Sequence, residues 1–303
     1  MTRIQANLVL LLAAAIWGGG FVAQSTAMEV MAPFWFVSVR FMVATFVILP
    51  FALAETSRAT RPLTRPERAS FTGVGIALLG GATVQQAGLL TTTVTNASFL
   101  TGLYVVLVPV ISLALFRRAP HWIVWPAALT ALGGIYLLSG GDLAALTGGD
   151  LLVMICALFW SMQIILAGHA VRATGRPLTL CAWQFAVTAL GSAVIAAVTE
   201  PFHVEALRQA YLEILYAGTL ASGLAFVLQV VGQRHTPAPQ AAIFLSSEAL
   251  FGALFGALLL GESLPVSGYA GCALLFAAVV AVELVPLWAR RRTIAARLAE
   301  GTP

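Results

Sequence analysis

The sequence repeats itself about 144 residues along the chain, and this internal repeat limits the folds that the chain can adopt. Trp17 corresponds to Trp160, and Gln85 corresponds to Gln229. The same offset of 143 or 144 relates Arg40-Phe41 to Gln184-Phe185, Gly88 to Gly232, Asn96-Ala97 to Gln240-Ala241, and Trp125 to Tyr269. A constant offset over so many pairs indicates duplication, so we expect two copies of one structural unit.

Composition indicates the environment in which these copies fold. The chain is 60% hydrophobic and 9% charged, with a mean hydropathy of +0.93, whereas soluble domains contain roughly 25% charged residues. These values predict an all-α integral membrane protein. The chain has no lysine, so all 16 basic residues are arginines. Without a lysine amine the chain can form neither a retinal Schiff base nor the P-loop of an ATPase.

The apolar stretches predict ten transmembrane helices, each about 20 residues long, the length that crosses a bilayer core. They cover approximately residues 7–27, 33–54, 70–90, 95–116, 121–139, 149–171, 178–199, 209–230, 239–260 and 265–287. The first five-helix repeat occupies residues 1–144, the second occupies 145–290, and a basic cytoplasmic tail occupies 291–303. Because each copy crosses the membrane five times, the second copy is expected to be inverted relative to the first.

The arginines predict the orientation of this topology. All but two of them fall in the segments on one side of the membrane; Arg208 lies on the other side and Arg40 lies within a span. Positively charged loops stay in the cytoplasm. Both termini are therefore expected to be cytoplasmic, with the protein in the inner membrane of a bacterium.

Several short motifs resemble those of a known family. The first helix reads Ile16-Trp17-Gly18-Gly19-Gly20-Phe21, the second contains Arg40-Phe41, and the ninth closes on Leu260-Gly261-Glu262. In order and duplication these motifs resemble the EamA-type transporters of the drug/metabolite transporter superfamily. The resemblance implies two inverted five-helix repeats and secondary transport. Within that family the chain is most similar to bacterial amino-acid exporters, which implies export of aromatic and other neutral amino acids.

Candidate binding residues of the first and sixth helices follow from helical spacing. Trp17, Phe21 and Gln24 lie on one face of the first helix, and Trp160 and Gln163 lie on the sixth. Both tryptophans are near mid-depth, where they could line a cavity from opposite walls. The alternatives are structural packing and an aromatic belt at the membrane interface.

Three glutamines are further candidates for substrate binding. Gln85 and Gln86 lie in the third span and Gln229 lies in the eighth. An amide can donate and accept hydrogen bonds, so it can hold either charged group of a zwitterion. The alternative is a structural hydrogen bond between membrane helices.

The fourth and ninth helices supply hydroxyl groups and one acid. The candidates are Ser98, Thr101 and Tyr104 on the fourth helix, and Ser246 and Glu248 on the ninth. An acid at membrane depth marks a functional site by default. Glu248 could carry a proton or bind a substrate ammonium group; the alternatives are a structural pair with Arg40 or a bond to a serine.

Two other charged residues are expected to serve structure or coupling rather than catalysis. Arg40 could bind a substrate carboxylate, but a brace within the second helix is favoured. Glu262, at the outer end of the ninth helix, is expected to be a structural or gating residue.

Together these features predict a secondary transporter that works by alternating access through a central cavity. Its partners are expected to be a small-molecule substrate and membrane lipids, not nucleic acid, with no cofactor and no metal, and a monomer is expected. The rival classes are a drug-efflux or lipid-translocating carrier of the same fold and an integral-membrane enzyme. An enzyme is disfavoured because neither a zinc-ligand cluster nor a nucleophile with a base is evident at membrane depth.

Overall fold

The computed structural model of the protein describes residues 1–92, 94–117, 119–138, 147–260 and 266–299, and within these ranges it is all-helical. The first half contains α1 (Arg3–Ala27), α2 (Pro33–Ser57), α3 (Arg65–Gly88), α4 (Val94–Thr101), α5 (Tyr104–Phe116) and α6 (Val124–Leu138). The second half contains α7 (Gly148–Thr174), α8 (Pro177–Thr199), α9 (Val204–Gln209), α10 (Tyr211–Leu215), a π-helix (Tyr216–Leu224), α11 (Ala225–Gln233), α12 (Ala238–Leu245), α13 (Glu248–Leu260) and α14 (Val266–Ala299).

Three long helices begin at threonine capping boxes. Thr2, Thr64 and Thr147 each accept a hydrogen bond from the backbone N–H three residues later. At the start of α3 the carboxylate of Glu67 accepts a hydrogen bond from the backbone N–H of Thr64. The same carboxylate pairs with Arg61 at 2.6 Å. The hydrogen bond from Arg61 holds the pKa of Glu67 below its usual range. These caps fix the residue at which each helix begins.

Eight helical stretches of the described chain are long and apolar enough to cross a membrane. They are Arg3–Ala27, Pro33–Ser57, Ala97–Phe116, Gly148–Thr174, Pro177–Thr199, Tyr211–Gln233, Ala238–Leu259 and Val266–Pro286. The predicted third and fifth spans are not among these eight. α3 has the length but a lower hydropathy, because it contains Gln85, Gln86 and several glycines, and the apolar helix Val124–Leu137 is shorter than a full span.

Four of the predicted spans differ from the observed helices in detail. The eighth consists of α10, the π-helix and α11, while α14 continues to Ala299, through much of the segment 291–303 that was expected to be a separate tail. The fourth and ninth are each broken once, at Gly102-Leu103 and at Ser246-Ser247.

The two breaks lie at positions related by the 144-residue repeat. The amide of Leu103 bonds the carbonyl of Leu100, and the amide of Ser247 bonds that of Phe244, three residues back instead of four. Gly102 has a low helix propensity. The hydroxyl of Ser246 bonds the carbonyl of Ile243 at 2.8 Å and so competes with the helix backbone.

The halves pack against each other reciprocally. α1 packs against α11 and the π-helix, and α7 packs against α3, which is the same pairing with the halves exchanged. The corresponding helices α2 and α8 pack together, as do α6 and α14. Large apolar side chains cover the outside, among them Phe46, Val198 and Phe276, which are 66%, 82% and 69% exposed. An apolar surface of this kind suits contact with lipid.

Gly18 permits the closest approach between α1 and α13. A Cβ atom on Gly18 would lie 2.5 Å from Cβ of Phe251 and 2.6 Å from the backbone nitrogen of Gly252. A Cβ atom on Gly252 would meet nothing nearer than the Gly18 carbonyl oxygen at 3.9 Å. Only one of the two glycines is therefore required by packing.

We expect Gly18→Ala to destabilise the protein, since a methyl group there must push α1 away from α13. Overpacking of this kind costs about 1–3 kcal/mol. Gly252→Ala is the matched control and should be neutral or stabilising, because alanine is about 0.5–1 kcal/mol better than glycine within a helix. Thermal unfolding in detergent measures both variants. Equal losses of stability in the two would contradict the packing described for this contact.

Candidate functional site

A cavity of about 520 Å³ of empty space lies between the two halves, and we call it the central cavity. The first half lines it with Trp17, Phe21, Gln24, Arg40, Gln85, Thr101 and Tyr104. The second half lines it with Trp160, Gln163, Ile164, Ala221, Ser222, Phe226, Gln229 and Glu248.

Most of the candidate residues from the sequence line this cavity, but three do not. Gln86 is fully buried and donates to the backbone oxygen of Gln24 at 3.4 Å, so it joins α3 to α1. Ser246 is fully buried and bonds its own helix, and Ser98 is buried in α4 away from the lining. Glu262 lies outside the described residues.

An aromatic cluster centred on Phe226 forms one wall of the central cavity. The ring of Phe226 is 4.9 Å from that of Trp17 in an edge-on arrangement and 5.8 Å from that of Trp160 in a stacked one. Phe41 and Phe185 contact the same ring from behind, at 6.1 and 5.9 Å. Phe226 therefore holds the repeat-related tryptophans in place and presents an apolar face to the cavity.

Phe226 was not among the predicted site residues, although its spacing in the sequence resembles that of the predicted ones. Ser222, Phe226 and Gln229 have the same i, i+4, i+7 spacing as Trp17, Phe21 and Gln24. Both triads lie in the wall of the cavity.

Amide groups form a second part of the wall. Gln229 donates to the side-chain oxygen of Gln163 at 2.9 Å, and Gln163 donates to that of Gln184 at 3.1 Å. Gln85 donates to the hydroxyl of Thr101 at 2.9 Å. These glutamines therefore connect helices and line the cavity at the same time, so the two interpretations of the sequence are compatible.

Arg40 is 4% exposed and is held by neutral groups. Its Nη1 donates to the side-chain oxygen of Gln24 at 2.7 Å, and its guanidinium lies 5.6 and 5.0 Å from the ring centres of Phe36 and Phe41. The ion pairs found among the described residues are Arg61–Glu67 and Arg208–Glu205. The alternative in which Arg40 pairs with Glu248 is therefore not observed there.

Tyr104 and Glu248 occupy equivalent positions in the two halves. Each is the first residue of the half-helix that follows a break, α5 in one half and α13 in the other. Tyr104 is 3% exposed and Glu248 is 5% exposed. The Tyr104 hydroxyl lies beside the Glu248 carboxylate. Within the described structure neither the hydroxyl nor Oε1 of Glu248 has a hydrogen-bond partner besides the other of these two side chains.

Comparison with protein families gives two matches along the chain. The model of the EamA-like transporter family matches residues 4–140 and again residues 147–284. The two matched segments divide the chain where the internal repeat divides it.

Individual proteins are also similar to this chain. An uncharacterised transporter of Archaeoglobus fulgidus is 34% identical over 283 residues, which is 93% of this chain and 87% of the relative. An uncharacterised protein of Pseudomonas aeruginosa is 34% identical over 138 residues, 45% of this chain and 46% of the relative. One crystal structure superposes with a TM-score of 0.77 at 19% identity, covering 94% of this chain and 98% of the other, and thus shares the fold.

We expect Phe226→Ala to lower the stability of the protein strongly, since it removes the ring on which four other aromatic rings pack. Replacing a buried phenylalanine with alanine typically costs about 3–5 kcal/mol. The control is Phe46→Ala, because the Phe46 ring is 66% exposed on the outer surface. Thermal unfolding in one detergent gives the comparison. A Phe226→Ala variant as stable as Phe46→Ala would contradict the role of Phe226 in this cluster.

Proposed function

Because this chain belongs to the EamA-like transporter family and is a membrane transporter, we propose that it exports small amphipathic metabolites, above all aromatic and other neutral amino acids. Transport proceeds by alternating access through the central cavity. The observation that carries this proposal is the lining of that cavity, which combines an aromatic wall with neutral amide and hydroxyl groups.

The substrate class follows from the chemistry of the lining. Trp17, Trp160 and Phe226 offer faces on which an aromatic or aliphatic side chain can pack. Gln163 and Gln229 offer donors and acceptors without a fixed charge. Phosphorylated solutes would need more than one cationic group, whereas Arg40 is the one basic residue of the lining.

The proposed topology is ten spans in two inverted repeats, with α3 and α6 as the spans of lower hydropathy or length. Contacts at the two ends of α1 support the inversion. Gln24, near the end of α1, accepts from Gln86 of α3, and α3 leads to Thr92, which contacts Asp150 at the start of α7. Asn7, at the beginning of α1, bonds Thr236, which follows α11.

The end of α7 lies on the same side as the beginning of α1. Arg172 in the last turn of α7 donates to the backbone oxygen of Gln233, three residues before Thr236. The corresponding helices α1 and α7 thus run in opposite directions. Positive-inside bias then puts the Asn7 end and both termini in the cytoplasm of a bacterial cell.

Two repeat-related hydrogen bonds connect the halves at opposite ends of the bundle. Thr236 donates to the side-chain oxygen of Asn7 at 2.7 Å, and Thr92 donates to the carboxylate of Asp150. Asn7 and Asp150 are related by an offset of 143, and the two threonines by 144. Asn7 and Gln24, which mark the two ends of α1, are 17 positions apart, or about 25 Å at about 1.5 Å per residue. In this proposal each bond holds one end closed.

Transport by the purified protein in proteoliposomes tests the substrate class. Wild type loaded with labelled aromatic and neutral amino acids should release them, and Trp17→Ala should reduce the rate at least about tenfold, which corresponds to roughly 1.4 kcal/mol of lost interaction. Trp122→Ala is the control, because Trp122 is 63% exposed outside the cavity. Thermal unfolding confirms that both variants are folded.

Other outcomes would change the proposal. If wild type releases none of the amino acids but moves fluorescent lipids or cationic drugs, the proposed amino-acid substrate is wrong. The protein is then a lipid-translocating or drug-efflux carrier. If Trp122→Ala slows transport as much as Trp17→Ala, the cavity is not the substrate site.

The two end contacts predict opposite effects on access to the cavity. A cysteine at Ser222, in a chain whose three native cysteines are replaced, reports access through its labelling by a membrane-impermeant thiol reagent. Thr236→Val should raise labelling from the Asn7 side only, by about fivefold, since one neutral hydrogen bond contributes about 1 kcal/mol. Thr92→Val should raise labelling from the other side only, and by more, because a bond to a carboxylate is stronger.

Thr219→Val is the matched control for this labelling experiment. Thr219 bonds only the carbonyl of Leu215 in its own helix, so its loss should leave labelling from both sides unchanged. Increases on the same side for Thr236→Val and Thr92→Val would contradict the assignment of these contacts to opposite ends.

A further inference from the structure

The two repeat-related tryptophans of the cavity differ in the use of their indole N–H groups. Nε1 of Trp17 donates to the backbone oxygen of Ala221 at 2.8 Å. Nε1 of Trp160 is buried, and in the described structure it has beside it only the thiol of Cys156, a weak acceptor. One tryptophan is therefore anchored to the protein by a strong hydrogen bond, while the other has a donor in the cavity wall without a strong acceptor.

The π-helix accounts for this difference. Ala221 lies in the π-helix Tyr216–Leu224, where the carbonyls do not follow the regular α-helical pattern. The repeat-related residue is Ala77, which lies in the regular helix α3, where backbone carbonyls accept from the N–H four residues later. The site that binds the indole of Trp17 therefore has no counterpart for the indole of Trp160.

Two other polar atoms on the same side of the cavity have no partner but each other among the described residues. These are the hydroxyl of Tyr104 and Oε1 of Glu248, which lie beside each other. The thiol of Cys156 lies close to both Glu248 and Trp160, and 4.0 Å from the hydroxyl of Thr101. The indole, the phenol and the carboxylate therefore surround one patch of the wall, and the thiol there is only a weak acceptor.

Unpartnered polar atoms are costly inside a protein, and a ligand that pairs with them removes that cost. This patch offers three polar groups. The indole N–H can only donate a hydrogen bond, the carboxylate oxygen accepts one, and the phenol can donate or accept. It also lies at the first residues of α5 and α13, where the positive ends of the helix dipoles favour an anion. A matching ligand presents an anionic acceptor next to a cationic donor.

We propose that Trp160, Tyr104 and Glu248 form the subsite that binds the zwitterionic head of an α-amino acid. The substrate carboxylate accepts from the indole N–H of Trp160 and the hydroxyl of Tyr104, and the substrate ammonium donates to Glu248. The subsite rests on the proposed transport of amino acids and specifies which residues select them. Trp17 then contributes its ring to the aromatic wall but no hydrogen bond to the substrate.

Arg40 is the other lining residue that could bind a carboxylate, since its Nε also has no partner among the described residues. Its contacts are with Gln24 of α1 and with Phe36 and Phe41 of its own helix. None of these belongs to the patch around Cys156. Arg40 is therefore assigned to the brace between α1 and α2, and its variant serves as a test.

The experiment compares three solutes with the same aromatic ring in proteoliposomes. Phenylalanine carries both charged groups, phenethylamine lacks the carboxylate and phenylpropionate lacks the ammonium; each competes with labelled phenylalanine. In wild type, phenylalanine should compete at least about tenfold better than either analogue. Trp160→Phe and Tyr104→Phe keep an aromatic ring at each position. Both should weaken competition by phenylalanine and phenylpropionate about tenfold, while competition by phenethylamine stays unchanged.

Glu248→Gln should give the complementary pattern. Competition by phenylalanine and phenethylamine should weaken about tenfold, and that by phenylpropionate should stay unchanged. Trp17→Phe is the matched control for Trp160→Phe, because its lost N–H bonds the protein and not the solute. It should change competition by all three solutes by the same factor, or lower only the melting temperature of the protein.

Each remaining outcome overturns a defined part of the inference. If Trp160→Phe weakens competition by all three solutes equally, the N–H of Trp160 has a structural role. If Arg40→Gln, rather than Trp160→Phe, weakens only the two carboxylates, Arg40 binds the carboxylate instead. Equal competition by the three solutes in wild type that transports phenylalanine overturns the subsite alone. Wild type that recognises none of the three overturns the proposed amino-acid substrate together with the subsite.

Discussion

The absence of hydrogen-bonding partners in lipid is the constraint on which the rest of this structure depends. A polar side chain that faces hydrocarbon cannot replace the water it has lost, so it must lie between helices or beside a cavity. Arg40, Gln163, Gln229 and Glu248 are all buried between the two halves, and Phe46 and Val198 face outward. The requirement that stabilises the bundle thus also concentrates its polar chemistry at the centre.

Duplication places the same groups on both sides of that centre, and the differences between the copies distinguish the two sides. Tyr104 in one half corresponds to Glu248 in the other, so a phenol lies beside an acid. Asn7 corresponds to Asp150, so one end contact is neutral and the other involves a carboxylate. Among the described residues the π-helix occurs in the second half alone, and of the two repeat-related tryptophans it anchors only Trp17.

Helical spacing alone identifies many of the residues that line the cavity. Trp17, Phe21 and Gln24 lie one or two turns apart on a single face, and all three line the cavity. Phe226 was not predicted, since a phenylalanine in an apolar helix does not differ in residue type from a lipid-facing one; only its spacing from Ser222 and Gln229 distinguishes it. Gln86 was predicted to line the cavity because of its amide group, but successive residues of a helix point about 100° apart, and Gln86 contacts α1 instead.

The sequence by itself determined the all-helical membrane character, the two-copy organisation and the family, because these depend on apolar composition and on an offset along the chain. It did not determine where helices break, where the π-helix lies, or which donors remain without partners. Those properties depend on distances between groups far apart in the chain, such as the indole of Trp17 and the carbonyl of Ala221, 204 residues away. Only the packing of one half against the other decided them.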